Sequence, residues 1–290
     1  MHPAPSVILF TTLSGLGFGL LAFLGLDIPS VRGGTALAFF VLAYALAVGG
    51  LLASTFHLGN KKNAIYAFSQ WRSSWLSREG CAAVLTLLLF APVGFARVFL
   101  DANPGPLGAI GSLSALVTVF TTSMIYAQLR TIPRWHQPIV PVMFLLHALA
   151  GGALLAGQSL LAGLLLLALT AVMVWMWREG DRREADGADT MESATGLGTI
   201  GKVRMYESAH TARNYVMDEM IHRVGRKHAE KLRKIAAVLI GILPAILLLA
   251  LPAGHLVSAV AFLLHLVGIA VGRWLFFAEA RHVVGLYYGK

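Results

Sequence analysis

The stretch "VILFTTLSGLGFGLLAFLGL", residues 7–26, decides the fold class, because it offers twenty positions without one charged side chain. At about 1.5 Å per residue a helix of that length reaches about 30 Å, the thickness of a bilayer's hydrocarbon core. Runs of the same kind recur at 35–57, 81–100, 108–128, 139–156, 159–177, 235–252 and 255–277, the fifth and seventh being the shortest. The expectation is an all-α, polytopic integral membrane protein with eight transmembrane helices in two four-helix halves. Six helices fall in 1–177, with a loop at 58–80. A long connection occupies 178–234, and two more helices with a tail occupy 235–290.

Composition points the same way. Hydrophobic residues make up 57% of the 290 and charged residues 13%, at a mean hydropathy of +0.71, far from the balance of an ordinary soluble domain. The six residues ahead of the first run carry no Lys or Arg, so that run reads as a mature span and not as a secretory signal. The single cysteine, Cys81, excludes an intramolecular disulfide, a protein-borne iron–sulfur cluster and a Cys-rich zinc site. The net charge of +9 comes with no compact basic domain and no interleaved aromatic platform, so membrane lipid, not nucleic acid, is the expected contact.

The placement of that charge orients the chain. Of the 23 Lys and Arg residues, twenty lie in the second, fourth and sixth connections or the tail, and twelve of those lie between Arg178 and Lys234. The other side has Arg32 alone, and Arg97 and Arg273 fall inside runs. Because Lys and Arg accumulate on the cytoplasmic side of inner-membrane proteins, both termini and the even connections are expected in the cytoplasm. That face is elaborated, whereas the other has short turns such as "DANPGP" and "AGH". The segment "RNYVMDEMIHRVGRKHAEKLRK" reads as an amphipathic helix, with Tyr215, Met217, Met220, Ile221 and Val224 at helical intervals. It fits a lipid surface or a docking partner equally well.

Nucleophile motifs, phosphate loops and zinc signatures are missing, and the glycines of "GLGFGLLAFLG" lie in an apolar span where small residues serve helix packing. The chain is therefore expected to break no bonds of its own. It offers polar and aromatic groups at the cytoplasmic helix ends: His57, Trp71, Arg72, Trp75, Arg78 and Glu79 around the second connection, then Tyr126, Arg130, Trp135 and His136 around the fourth. Arg273, Glu279 and Tyr287 stand near the end. Trp135, Tyr287 and Tyr288 read as interfacial anchors. His57 ends an apolar run and titrates near physiological pH. A quinone suits such a ring: His57 as acid or base, Arg72 or Arg78 on the carbonyl oxygen that gains charge, Trp71 or Trp75 as a flat wall. Tyr126, Arg130 and Arg273 are candidate neighbours of that pocket. His147 and His265 lie deep in their runs, where opposed histidines ligate a b-type haem or hydrogen-bond neighbouring helices as neutral imidazoles. Arg97 and Arg273 need carboxylate or carbonyl partners, with Glu279 a candidate for Arg273.

Five stretches together carry a resemblance across essentially the whole chain: "MHPAPSVILFTTLSGLGFG", "FHLGNKKNAIYAFSQWRSSWLSREG", "MIYAQLRTIPRW", "RKHAEKLRKIA" and "GRWLFFAEARHVVGLYYG". They resemble the DmsC-type membrane anchor of the dimethyl sulfoxide reductase family. The resemblance implies an eight-helix anchor holding a molybdopterin catalytic subunit and a four-cluster iron–sulfur subunit to the membrane. It also implies exchange of electrons with ubiquinone or menaquinone, with the iron–sulfur clusters and the molybdenum cofactor on the partners only. The family's quinol-associated histidine, in the HLG motif, matches His57. One departure concerns orientation: that reductase faces the periplasm, while the charge count puts this elaborated face in the cytoplasm. Together with the segment "TMESATGLGTIGKVRMYESAHTARNY", this is more similar to the anchor of cytoplasm-facing sulfite dehydrogenase. A quinol-oxidising anchor and a purely structural anchor remain alternatives. A transporter does not fit, since paired Gly/Pro-broken spans around a midplane acidic site are missing.

Overall fold

The computed structural model describes residues 1–56, 66, 68–186, 190–207, 214–220, 228–252 and 254–288, and the described residues contain helices and turns but no strand. The long helices are α1 (Pro5–Gly25), α2 (Gly33–Thr55), α3 (Trp75–Phe99), α4 (Pro106–Ala127), α5 (Ile139–Leu155) and α6 (Ser159–Asp186). Two short helices come next, α7 (Met191–Thr195) and α8 (Tyr215–Met220). Beyond them, α9 (Ala229–Ala237), a π-helical turn (Val238–Ile242) and α10 (Leu243–Ala250) run on as one rod. Last come α11 (His255–Ala278) and a 3₁₀ turn (Val283–Tyr288). Seven of these rods, with Ala229–Ala250 taken as one, are long and apolar enough to cross a membrane, and α5, at 17 residues, is shorter. The chain is a polytopic membrane protein.

Local chemistry sets several starts. Pro5 and Pro106 open α1 and α4, where a missing N–H costs nothing. The Ser74 hydroxyl caps α3 by accepting from the Ser77 amide at 3.5 Å.

The most buried of these rods is α1, which packs on α2, α4, α5 and α11. Small residues let it do so. Gly17 lies on the backbone of Ala43 and Ala47, and Gly19 lies on the Ala148 carbonyl and against Gly152. A methyl group at Gly17 or Gly19 would collide with main chain, so these helices approach at backbone contact, as lipid-embedded helices do where small residues meet. Around α1, α2 and α5, the helix α6 packs on α5 and on the α9–α10 rod, which in turn packs on α11. Leu52, Leu88, Leu113, Leu160 and Leu263 point outward, where lipid tails replace water.

Ion pairs show which connections share an end. At one end Arg97 on α3 reaches Asp27, after α1, at 3.2 Å, and Asp27 also binds Arg32 at 2.8 Å and the Asn103 amide at 2.9 Å. At the other end Arg134, between α4 and α5, binds Asp181 at 2.6 Å and Glu184 at 2.9 Å, while Arg233 binds Asp181 and Glu279 at 2.6 and 2.8 Å. The Val283 amide there donates to the Thr131 carbonyl.

Two runs differ from their sequence boundaries. The sixth was expected to stop at residue 177, yet α6 continues to Asp186. Its extra turns carry Glu179 paired with Arg182 and Arg183 at i+3 and i+4, and they project Asp181 and Glu184 onto Arg134 and Arg233, so charge pairing continues a helix that hydropathy alone would end. The seventh was expected from residue 235, but the helix begins at Ala229 and contains the π turn just before Pro244. Of the amphipathic segment, α8 is present, and residues 221–227 lie outside the described residues.

Candidate functional site

His57, the leading candidate from the sequence, lies outside the described residues. The later part of its connection is ordered by arginine. The Arg78 guanidinium donates from Nε to the Trp71 carbonyl at 2.9 Å and from Nη2 to the Arg72 carbonyl at 2.7 Å. It also lies 4.3 Å from the centroid of the Trp75 ring, within cation–π range. Arg72 covers the exposed Trp71 ring at 5.4 Å. Trp75 turns its edge to Phe120 of α4 at 6.1 Å. Trp71, Arg72, Trp75 and Arg78 thus form one patch at the start of α3, partly open, with Arg78 clamping the chain rather than projecting freely.

One turn into α3, Glu79 is buried at 5% exposure and accepts from the Thr122 hydroxyl of α4 at 3.4 Å. Among the described residues no cation pairs with it. The carboxylate therefore sits behind the aromatic patch with one neutral hydrogen bond.

Four residues past Thr122 on the same face of α4, Tyr126 enters an aromatic cage. Trp135 and Phe276 meet it edge-on at 5.2 and 5.4 Å, Phe277 at 5.5 Å, and Phe144 stacks on it at 5.7 Å. Arg273 closes the group, with its guanidinium 3.8 Å from the Phe144 ring centroid and Nη1 on the Met143 sulfur at 3.7 Å.

Several expectations change. Trp135 is not an interfacial anchor: it is 3% exposed and its indole N–H donates to the Phe276 carbonyl at 2.8 Å, since the connection folds inward over α11. Glu279 does not pair with Arg273. It lies at the helix end, where Arg233 holds it at 2.8 Å and Arg134 approaches at 4.0 Å, because residues six apart on a helix face away from each other. Burial pushes the Glu279 carboxyl above its ordinary range, against the pull of Arg134 and Arg233. Arg130 is exposed and apart from the cage. Arg97 does have a carboxylate partner, Asp27.

The two deep histidines each engage a carbonyl. His147 Nδ1 donates to Met143 of its own helix at 3.0 Å, and His265 Nδ1 donates to Ile240 across the helix interface at 2.6 Å. The second bond has a cause in the sequence: Pro244 lacks the amide that would bond four residues back, so the Ile240 carbonyl is open to the imidazole. Both rings thus have their Nδ1 atoms committed to protein carbonyls.

The residues of this arrangement that sequence reasoning did not single out are Thr122, Phe144 and Arg134. Thr122 was signalled by its i,i+4 spacing from Tyr126. Phe144 had no signal, since its role depends on a partner 129 positions away in the chain.

The whole chain takes part in the comparisons. Residues 1–289 match the family described as DMSO reductase anchor subunit (DmsC). The C subunit of sulfite dehydrogenase from Allochromatium vinosum is 32% identical over 99% of both chains. No solved structure matches. With the match running from the first helix through the Glu79 patch to the Arg273 cage, the chain belongs to the DmsC family of membrane anchor subunits.

Proposed function

We propose that this chain is the quinone-reactive anchor of a molybdenum and iron–sulfur oxidoreductase. It would pass two electrons between a four-cluster iron–sulfur subunit and ubiquinone or menaquinone. In this reading all eight helices, α5 included, cross the bacterial inner membrane. Both termini and the Arg134–Asp181–Arg233–Glu279 end face the cytoplasm, as the positive charge excess there favours. The molybdopterin subunit oxidises sulfite with water to sulfate, two protons and two electrons. The electrons cross the partner's clusters, and quinone takes them up with two protons. The 32% identity with the sulfite dehydrogenase relative favours this direction. The family description alone favours the reverse, quinol oxidation feeding a dimethyl sulfoxide reductase.

The observation that carries the proposal is Glu79, a buried carboxylate without a cation partner among the described residues, one turn into α3 behind the Trp71–Arg72–Trp75–Arg78 patch that follows His57 in the chain. Since Arg78 spends two donors on backbone carbonyls, it holds the loop. Arg72 is the donor for the quinone oxygen that gains charge, the tryptophan faces flank the ring, and His57 and Glu79 exchange its protons. The test is His57→Ala in the intact complex. Quinone-linked turnover falls by about 100-fold or more, while the iron–sulfur and molybdenum content of the purified complex is unchanged. Turnover at the wild-type rate would leave a purely structural anchor.

A further inference from the structure

Two ionisable groups of opposite sign are buried in this bundle without an ion-pair partner within 4 Å among the described residues. Glu79 on α3 has only the Thr122 hydroxyl. Arg273 on α11 is 2% exposed, its Nε has no hydrogen-bond partner, and its neighbours are the Phe144 ring and the Met143 sulfur. A charge left alone in an apolar interior is costly, so each needs compensation from somewhere. Each lies one residue away from Tyr126. Thr122 and Tyr126 lie one turn apart on α4, so the face that binds Glu79 through Thr122 also presents Tyr126. The Phe144 ring under Arg273 is the ring stacked on Tyr126 at 5.7 Å. Tyr126 thus stands between the two, one turn from the hydroxyl that binds Glu79 and stacked on the ring that carries Arg273.

Among the described residues, no other charged side chain near either group is free to pair with it. Beside Glu79 on its own helix, Arg78 is turned into the Trp71 and Arg72 carbonyls. From α2 the one titratable side chain is Tyr44, which donates to the Leu87 carbonyl about two turns deeper. Around Arg273, His147 and His265 have their Nδ1 atoms on carbonyls, and Glu279 is held by Arg233.

We infer that Glu79 and Arg273 are the two ends of one charge pair, bridged by the Tyr126 hydroxyl with internal water, and that Arg273 is the positioning residue that keeps the Glu79 carboxylate in place for quinone turnover. The bridge lets the pair stay loose: a direct bidentate contact would fix the carboxylate, while a phenol and water hold it with bonds that rearrange when a proton moves. This rests on the quinone site proposed above.

The test is a double-mutant cycle in the purified complex, joining Glu79→Gln and Arg273→Gln, with Arg273→Lys as the charge-conserving variant. Quinone-linked turnover falls about 100-fold in E79Q and about tenfold in R273Q. The double variant is no slower than E79Q, because the two act as one unit, and R273K recovers most of the loss. Infrared spectra of the quinone-free complex give a second measure. The Glu79 carboxylate bands, identified by their loss in E79Q, move in R273Q and return in R273K. If R273Q and R273K both fail to assemble, Tyr126→Phe replaces them, with the same band movement expected. Additive losses, or bands that stay in place in R273Q or Y126F, overturn the pair. Moved bands with wild-type turnover in both single variants keep the pair and overturn the quinone reading.

Discussion

The imidazole of His265 is bound through Nδ1 to the Ile240 carbonyl at 2.6 Å, and that carbonyl is open because Pro244 has no amide to offer it. One proline thus stands just after a π turn and leaves open the acceptor that fixes a neighbouring helix. Replacing His265 with Leu leaves the carbonyl buried and unpaired, and should cost about 1–3 kcal/mol of stability. Thermal unfolding of the detergent-solubilised complex reads this as a lowered midpoint. Pro244→Ala restores the competing amide and should lower the midpoint as well, despite the better helix former.

Helix contact at α1 is a question of single methyl groups. A Cβ at Gly19 would strike the Ala148 carbonyl, while one at Gly15 meets nothing within 4 Å. Gly19→Ala should therefore abolish accumulation of folded protein in membranes, and Gly15→Ala should match the wild type on the same immunoblot.

The end carrying Asp27 responds to acid. The Arg32 guanidinium bound to Asp27 is the main force holding its carboxyl below the ordinary value of 3.8, with Arg97 adding to the pull against burial. A carboxyl lowered in the folded state contributes stability at pH values above its unfolded value. That contribution disappears as pH falls through the lowered value. Between pH 5 and pH 3 the unfolding midpoint of the wild type should drop more steeply than that of Asp27→Asn, whose midpoint is already lower at pH 5. Parallel slopes would refute the assignment.

Arg134 is 7% exposed and joins Asp181 and Glu184 on α6, with Glu279 beyond. Arg134→Met takes the close cation from Glu184 and leaves Asp181 and Glu279 to Arg233 alone, and should cost about 3–5 kcal/mol. Limited proteolysis should show the 190–207 segment cut faster, while α1 and α2 stay intact.

The sequence made the all-helical membrane fold legible because crossing lipid forces long uncharged runs: each of the eight runs falls on a helix, and seven of those helices are long and apolar enough to cross a membrane. Helix ends were less legible. Asp181 and Glu184 read as loop residues because their value lies in Arg134 and Arg233, about 50 positions away. The same limit applied at the site. Trp71, Arg72, Trp75, Arg78 and Glu79 are neighbours along the chain and so announced themselves together. The bond from Thr122 to Glu79 and the bed of Arg273 on Phe144 arise from tertiary packing, which one sequence does not spell out. Trp135 misled for the same reason, since an indole suited to the lipid interface is equally suited to a cage whose carbonyl takes its N–H.

The central position of α1 also bears on how the protein is made. α1 leaves the ribosome long before α5, on which Gly19 closes, and α11, on which other faces of it pack. While synthesis continues, those faces must wait in the bilayer against lipid or an insertion factor. Full closure of the first-made rod therefore depends on the last, so a nascent chain stalled before α11 exposes the very surfaces by which quality-control proteases would recognise it as unfinished.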